Sequence, residues 1–172
     1  RGETKVIFGP SGSGKSTLIL RLRDFFLSKN KRVGGIISPE IRRDGIRIGF
    51  KVVDLLTLRE SVFASINFRT NHRVGKYFVD VQSFEEIAIQ ALEAAEEDCE
   101  VIIIDEIGKM ELFSESFEKK VIEILKGNKL VIAVVHREYL NEYRKFGKVF
   151  WVERERWNEV YSSLLFNFEK II

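Results

Sequence analysis

The chain has 172 residues, 45% hydrophobic and 12% aromatic, which is enough apolar surface for one domain core and too much for a disordered chain. Its 28 Lys and Arg stand against 26 Asp and Glu, so a net charge of +2 gives no reason to expect nucleic acid held by charge alone. No apolar run approaches the roughly 18 residues of a transmembrane helix, and the opening RGETKVIFGP lacks the charged-then-apolar layout of a signal peptide, so no membrane association is expected.

In chain order, residues 5–8 read as a short apolar strand leading into GPSGSGKST, and Leu18, Leu22, Phe25 and Phe26 recur at helical spacing over 15–28. Residues 33–37 form a second buried strand. Between 41 and 80 the Asp44-Gly45 pair sits between β-like runs, a hairpin signature, and Ile46, Ile48, Phe50 and Val52 alternate with their neighbours at period two. SVFASINF and VGKYFVDV read as further strands, so 41–80 is expected to be an antiparallel insert within one domain spanning 1–172. A helix opens at a capping box, Ser83 with Glu86 three residues on. Strand 101–105, helix 116–126, strand 130–135, helix 138–145, strand 149–152 and a helix from 156 complete the chain. Apolar strands alternating with helices predict an α/β fold with a mainly parallel central sheet covered on both faces. The single cysteine, Cys99, cannot form an internal disulfide and suits a reducing, cytoplasmic setting.

Residues 9–16 match G-x-x-x-x-G-K-[ST]. The glycines let the backbone curl so that N–H groups point inward at phosphate oxygens, beside the positive end of the following helix. Gly9, Pro10, Ser11, Gly12, Ser13, Gly14, Lys15, Ser16 and Thr17 are therefore the expected nucleotide cradle. Lys15 would reach the β- and γ-phosphates, the Ser16 hydroxyl would ligate Mg²⁺, and Thr17 would reach the α-phosphate.

The stretch VIIIDEIGKME poses a second problem, because a buried strand that ends in Asp105 and Glu106 needs something to use two adjacent carboxylates. A Mg²⁺-nucleotide supplies the opposing charge, which assigns Asp105 to the metal. Glu106 points away from Asp105 if the chain is still extended there, and so would orient or deprotonate an attacking water. Asp105 to Gly108 also satisfies the D-x-x-G of switch GTPases. That reading requires an N-K-x-D after a later strand, whereas Asn128-Lys129-Leu130-Val131 lacks the Asp and precedes its strand.

Together, GPSGSGKST, GGIISPEIRRDGIRIGF, VGKYFVDV and DEIGKMELFSESF resemble the small thermostable nucleoside-triphosphatases, whose animal members are called cancer-related nucleoside-triphosphatase. The matching positions are Gly35, Ser38, Glu40 and Arg42; Arg47, Gly49 and Phe50; Val74, Gly75 and Tyr77; and Asp105 to Glu111 with Ser114 and Phe117, covering roughly residues 4–126. The resemblance implies a three-layer RecA-like P-loop fold, a catalytic Glu, and Mg²⁺-dependent hydrolysis of ATP, GTP, CTP and UTP to diphosphate and phosphate with weak base selectivity.

An arginine supplied to the transferring phosphoryl group is worth about 10³–10⁵ in rate, and Arg42 and Arg47, flanking the Asp44-Gly45 turn, are the candidates. Arg43 lies outside the family pattern. Lys109 is near the metal site in sequence, Glu111 reads as a helix-start acid or ion-pair partner, and His136 ends a strand where it could sense phosphate or lie in a surface loop. For the base, Arg154 and Trp157 follow the last strand, although the spacing of Trp157 from Val160 and Tyr161 suits a core face. Hydrolysis of a nucleoside triphosphate is the expected chemistry. A kinase using the same site with an acceptor hydroxyl, and a slow nucleotide-dependent switch or adaptor, are the alternatives; the sequence names no protein partner.

Overall fold

The computed structural model describes residues 4–9, 15–152 and 156–171, apart from the side chains of Lys15, Trp157 and Ile171. Five strands run parallel: β1 (Lys5–Gly9), β2 (Val33–Ile37), β8 (Val101–Ile107), β9 (Leu130–Val135) and β10 (Lys148–Trp151), in the order β10-β1-β9-β8-β2. Their side chains alternate between two apolar layers. Ile102, Ile104, Val131 and Ala133 join one cluster under α2 (Val81–Asp98) and α3 (Glu115–Lys126). Val101, Ile103, Ile132 and Val134 join the other, with Leu18, Leu22 and Phe26 of α1 (Lys15–Ser28) and Leu164 and Phe168 of α5 (Trp157–Ile171). Unbroken apolar strands are what a sheet buried on both faces requires.

The remaining strands form the insert. β3 (Glu40–Arg43) and β4 (Ile46–Asp54) are joined by Asp44 and Gly45, whose φ values of 53° and 78° fit the type I′ turn foreseen from the Asp-Gly pair. β5 (Glu60–Ser65), β6 (His72–Val74) and β7 (Tyr77–Val79) complete the order β2-β4-β5-β7-β6. Only Val53 and Asp54 of β4 pair with β2, antiparallel, so residues 46–52 run on past the C-terminal end of β2. The insert therefore stands above the edge at which the parallel strands end.

Four details differ from the expectations. VGKYFVDV is a hairpin, because Gly75 turns at φ 59° between β6 and β7. The alternation in β4 is lost, with Ile46 59% exposed, because its partner changes along its length and its pairing with β5 carries a bulge at Phe50/Lys51. The N-cap of α2 is Asp80 rather than Ser83; its carboxylate accepts from the Ser83 N–H at 3.1 Å and from the Ser83 hydroxyl at 2.8 Å. The helix expected over 138–145 is broken into a 3₁₀ turn (Arg137–Tyr139), the single turn α4 (Leu140–Tyr143) and a second 3₁₀ turn (Arg144–Phe146). Leu140, Tyr143 and Phe146 recur every three residues, the period of the tighter helix.

Candidate active site

The C-terminal edge of the parallel strands and the insert enclose a cavity of about 600 Å³, within the range of small-molecule sites. Ser16 at the start of α1, Ser38 after β2, Asp105 and Glu106 at the end of β8, His136 after β9 and Arg47 of β4 all line it. Ligands of open α/β sheets bind at this edge.

Regular alternation would aim Asp105 with Ile103 toward the α1 layer and Glu106 with Ile104 toward the other. The β8–β9 pairing instead passes from Asp105↔Val134 to Ile107↔Val135, so Glu106 is an extra residue, and Ile107 falls into the same layer as Ile104. A bulge re-aims the side chain it adds. Glu106 accordingly lines the same cavity as Asp105 rather than pointing away from it. The peptide bond between the two is cis.

A third carboxylate joins them. A Cβ placed on Gly108 would lie 2.9 Å from Glu111 Oε1 and 3.2 Å from Glu106 Oε1, so a side chain at 108 would press on both acids. Glu111 is 3% exposed at the start of a 3₁₀ turn (Glu111–Phe113), as the helix-start reading has it, and has no ion pair among the described residues, against the ion-pair reading. Burial, then the charges of Glu106 and Asp105, push its carboxyl well above the usual range, opposed in part by the backbone N–H groups of Glu111 and Gly108. The acid is foreseeable only as one polar position in MELF; its burial comes from the turn.

Opposite stands Arg47. Its Nε donates to the Tyr77 hydroxyl at 2.9 Å, that hydroxyl donates back to the Arg47 carbonyl at 3.2 Å, and the guanidinium lies 5.2 Å from the Phe50 ring centroid and 5.6 Å from that of Tyr77. Tyr77 is 5% exposed, so the guanidinium is braced by a fixed ring. Arg42 is placed differently. Its Nε donates to Glu40 at 2.6 Å and its Nη1 to the Gly45 carbonyl at 2.7 Å, and it does not line the cavity. The hydrogen bond from Arg42, with the charges of Arg42 and Arg47, holds the Glu40 carboxyl below the usual range.

Hard oxygen donors suit Mg²⁺, which keeps waters and substrate oxygens among its ligands rather than needing a protein cage. The Ser16 hydroxyl and the Asp105 carboxylate at one cavity fit that demand, and among the described residues no group of three His, Cys, Asp or Glu is disposed around a single ion. Gly9 ends β1; Pro10 to Gly14 and Arg154 lie outside the described residues, as do the side chains of Lys15 and Trp157. Thr17 is exposed on the first turn of α1, away from the cavity lining, and Lys109 lies on the lining. Ser38 contributes a buried hydroxyl oxygen with no hydrogen-bond partner among the described residues. His136 Nδ1 accepts from the Glu138 N–H at 3.1 Å, which leaves Nε2 to carry the proton of a neutral ring. No helix among the described residues is long and apolar enough to cross a membrane.

Comparison with known proteins gives one answer. A family model described as NTPase matches residues 5–165, beyond the 4–126 that carried the resemblance in sequence. The Nucleoside-triphosphatase THEP1 of Korarchaeum cryptofilum is 43% identical over 165 residues, covering 94% of this chain and 84% of the relative. That of Methanothermobacter thermautotrophicus is 43% identical, covering 93% and 92%. The crystal structure of THEP1 from the hyperthermophile Aquifex aeolicus superposes with a TM-score of 0.77 at 33% identity, over 93% of this chain and 96% of that one. The solution structure of a human cancer-related nucleoside triphosphatase gives 0.79 at 31%, over 96% of each.

Proposed function

The chain belongs to this NTPase family, and on that premise we propose that it hydrolyses nucleoside 5′-triphosphates to diphosphate and phosphate, with Mg²⁺ as cofactor and weak preference among bases. The observation that carries the reading is the meeting of Ser16, Arg47 and the Asp105-Glu106 pair on one cavity, although they come from three separate stretches of chain.

The Gly9–Thr17 segment, with the Lys15 ammonium, would hold the phosphate chain through backbone N–H groups and the start of α1. Ser16 and Asp105 would hold Mg²⁺, which when bound polarises the phosphoryl oxygens and offsets their charge. Glu106 would take a hydrogen bond from a water on the γ-phosphate side, orienting it in line and accepting its proton as the bond to phosphorus forms. Arg47, fixed by Tyr77, would face the equatorial oxygens, where the charge spreads in the transition state.

The test is phosphate release from ATP, GTP, CTP and UTP with Mg²⁺ and no acceptor, by the parent chain and Glu106→Gln, with nucleotide affinity measured in parallel. The parent should release phosphate from all four. The variant should bind as the parent does and turn over about 10²–10⁴ times more slowly. Tight binding by the parent with negligible release would overturn hydrolysis in favour of an acceptor-dependent transfer.

A further inference from the structure

Ser16, Asp105, Glu106 and Arg47, polar residues of the cavity, are assigned to the phosphate end of a nucleotide, and the base is assigned no residue. The strand order offers one. Along the edge where the parallel strands end, the order β10-β1-β9-β8 puts the carboxylates of β8 on one side of the β1–α1 connection and β10 on the other. Adjacent strands lie about 4.8 Å apart, so the end of β10 is about 14 Å from the end of β8, a distance an extended triphosphate with its ribose covers. A nucleotide with its γ-phosphate at Glu106 and its chain on the cradle directs its base toward β10.

The residue there is Trp151. It is the last residue of β10, pairs in register with Gly9, the first residue of the cradle, and is followed by Val152, whose N–H donates to the Gly9 carbonyl at 2.9 Å. The indole is 48% exposed, and the Arg137 guanidinium stands 5.3 Å from its ring centroid. Its strand neighbour Phe150 packs into the α1–α5 layer against Phe8, which sets the backbone and gives Trp151 the opposite face. Among the described residues the other large exposed apolar side chains lie elsewhere: Ile46 beside the β3–β4 turn, Leu58 between β4 and β5, Val62 within β5, and Leu27 and Phe166 on helices. Scattered residues of that kind need no explanation. An aromatic ring in register with the phosphate cradle and braced by a cation is a different object.

We propose that Trp151, backed by Arg137, is the stacking platform for the nucleobase. The proposal rests on the nucleotide reading above. Stacking on an indole accepts every base, since each has a π-face, and so gives affinity without strong base choice. Arg137 restricts the rotamers of the ring, so less side-chain freedom is lost when a base arrives. Arg154 and Trp157, the sequence candidates for this role, are not needed by it.

The experiment compares Mg²⁺-dependent binding of ATP, GTP, CTP and UTP with that of inorganic tripolyphosphate, which has phosphates and no base, for the parent, Trp151→Ala and Trp151→Phe. Loss of base stacking should weaken all four nucleotides in Trp151→Ala by roughly five- to a hundredfold, leave tripolyphosphate unchanged, and be largely restored in Trp151→Phe. Unchanged nucleotide affinity in Trp151→Ala would overturn the proposal. So would an equal loss for tripolyphosphate, which would mark Trp151 as structural support for the cradle. Failure of the hydrolase reading has a different signature: a parent that binds nucleotides through Trp151 and releases no phosphate.

Discussion

The five parallel strands and the antiparallel insert hold their functional groups in opposite ways. In the parallel half both faces are sealed by helices, and Asp105 and Glu106 take their positions from backbone register and one bulge. In the insert, strands with exposed residues such as Ile46 and Val62 carry Arg47, and its position comes from side chains: the Tyr77 hydroxyl, the rings of Phe50 and Tyr77, and the Glu40 carboxylate it shares with Arg42. Acids are thus set by the part of the sheet buried under helices, and the cation by strands with more exposed residues. Under the proposed function, this division suits a site that binds a polyanion first and stabilises the transferring phosphoryl group afterwards, since only interactions stronger in the transition state speed the chemical step.

The comparison breaks most readily at Arg47. Arg47→Ala should lower kcat by about a thousandfold while KM moves far less. Arg42→Ala, on the other side of the same turn but tied to Glu40 and Gly45, should stay within about twofold, as surface substitutions do. Steady-state kinetics on the two variants distinguish a cavity residue from a hairpin residue of the same chemistry. A smaller effect sharpens the point. Tyr77→Phe keeps the ring and removes the hydroxyl that accepts from Arg47 and returns a hydrogen bond to its carbonyl. With about 1 kcal/mol for such a bond, kcat should fall by roughly fivefold with little change in KM, and an unchanged kcat would show that the rings and the Glu40 carboxylate, 3.5 Å from Nη1, suffice to fix the guanidinium.

The parallel half was legible in the sequence to within a residue or two, because its inner strands β1, β9, β8 and β2 are apolar runs buried on both faces, and β10 at the edge keeps an apolar centre. The Asp-Gly turn was equally plain, since few dipeptides accept two positive φ values. Less could be read where a tertiary partner decides. The bulge at Glu106 depends on the register of β9, and the burial of Glu111 depends on a turn folding back under β8. The separate fates of Arg42 and Arg47 depend on Tyr77, thirty residues away. Trp151 carries no signal of its own in the sequence, because its place beside the β1–α1 connection follows from the pairing of β10 with β1.

The smallest expected effect concerns Glu111. Its carboxyl is held above the ordinary range, so the fold binds a proton that the unfolded chain releases above a pKa of about 4.3. The stability linked to that proton is complete at lower pH and declines as pH rises through the folded-state value. Glu111→Gln removes the dependence. In metal- and nucleotide-free protein it should raise stability near pH 7 by about 1 kcal/mol, and the gain should shrink toward zero as pH falls below about 4. Denaturant melts of parent and variant across that range check the sign; an advantage that grew at low pH would contradict a protonated Glu111.

The most direct test of the division between the two halves is the affinity of the parent and Arg47→Ala for Mg²⁺-ADP, alone and with fluoroaluminate, which mimics the transferring phosphoryl group. The parent should bind the analogue complex at least about a hundredfold more tightly than ADP. Arg47→Ala should bind ADP as the parent does and lose most of that gain. A variant that retained the full gain, or that lost ADP and analogue affinity in equal measure, would contradict an insert arginine that acts in the transition state.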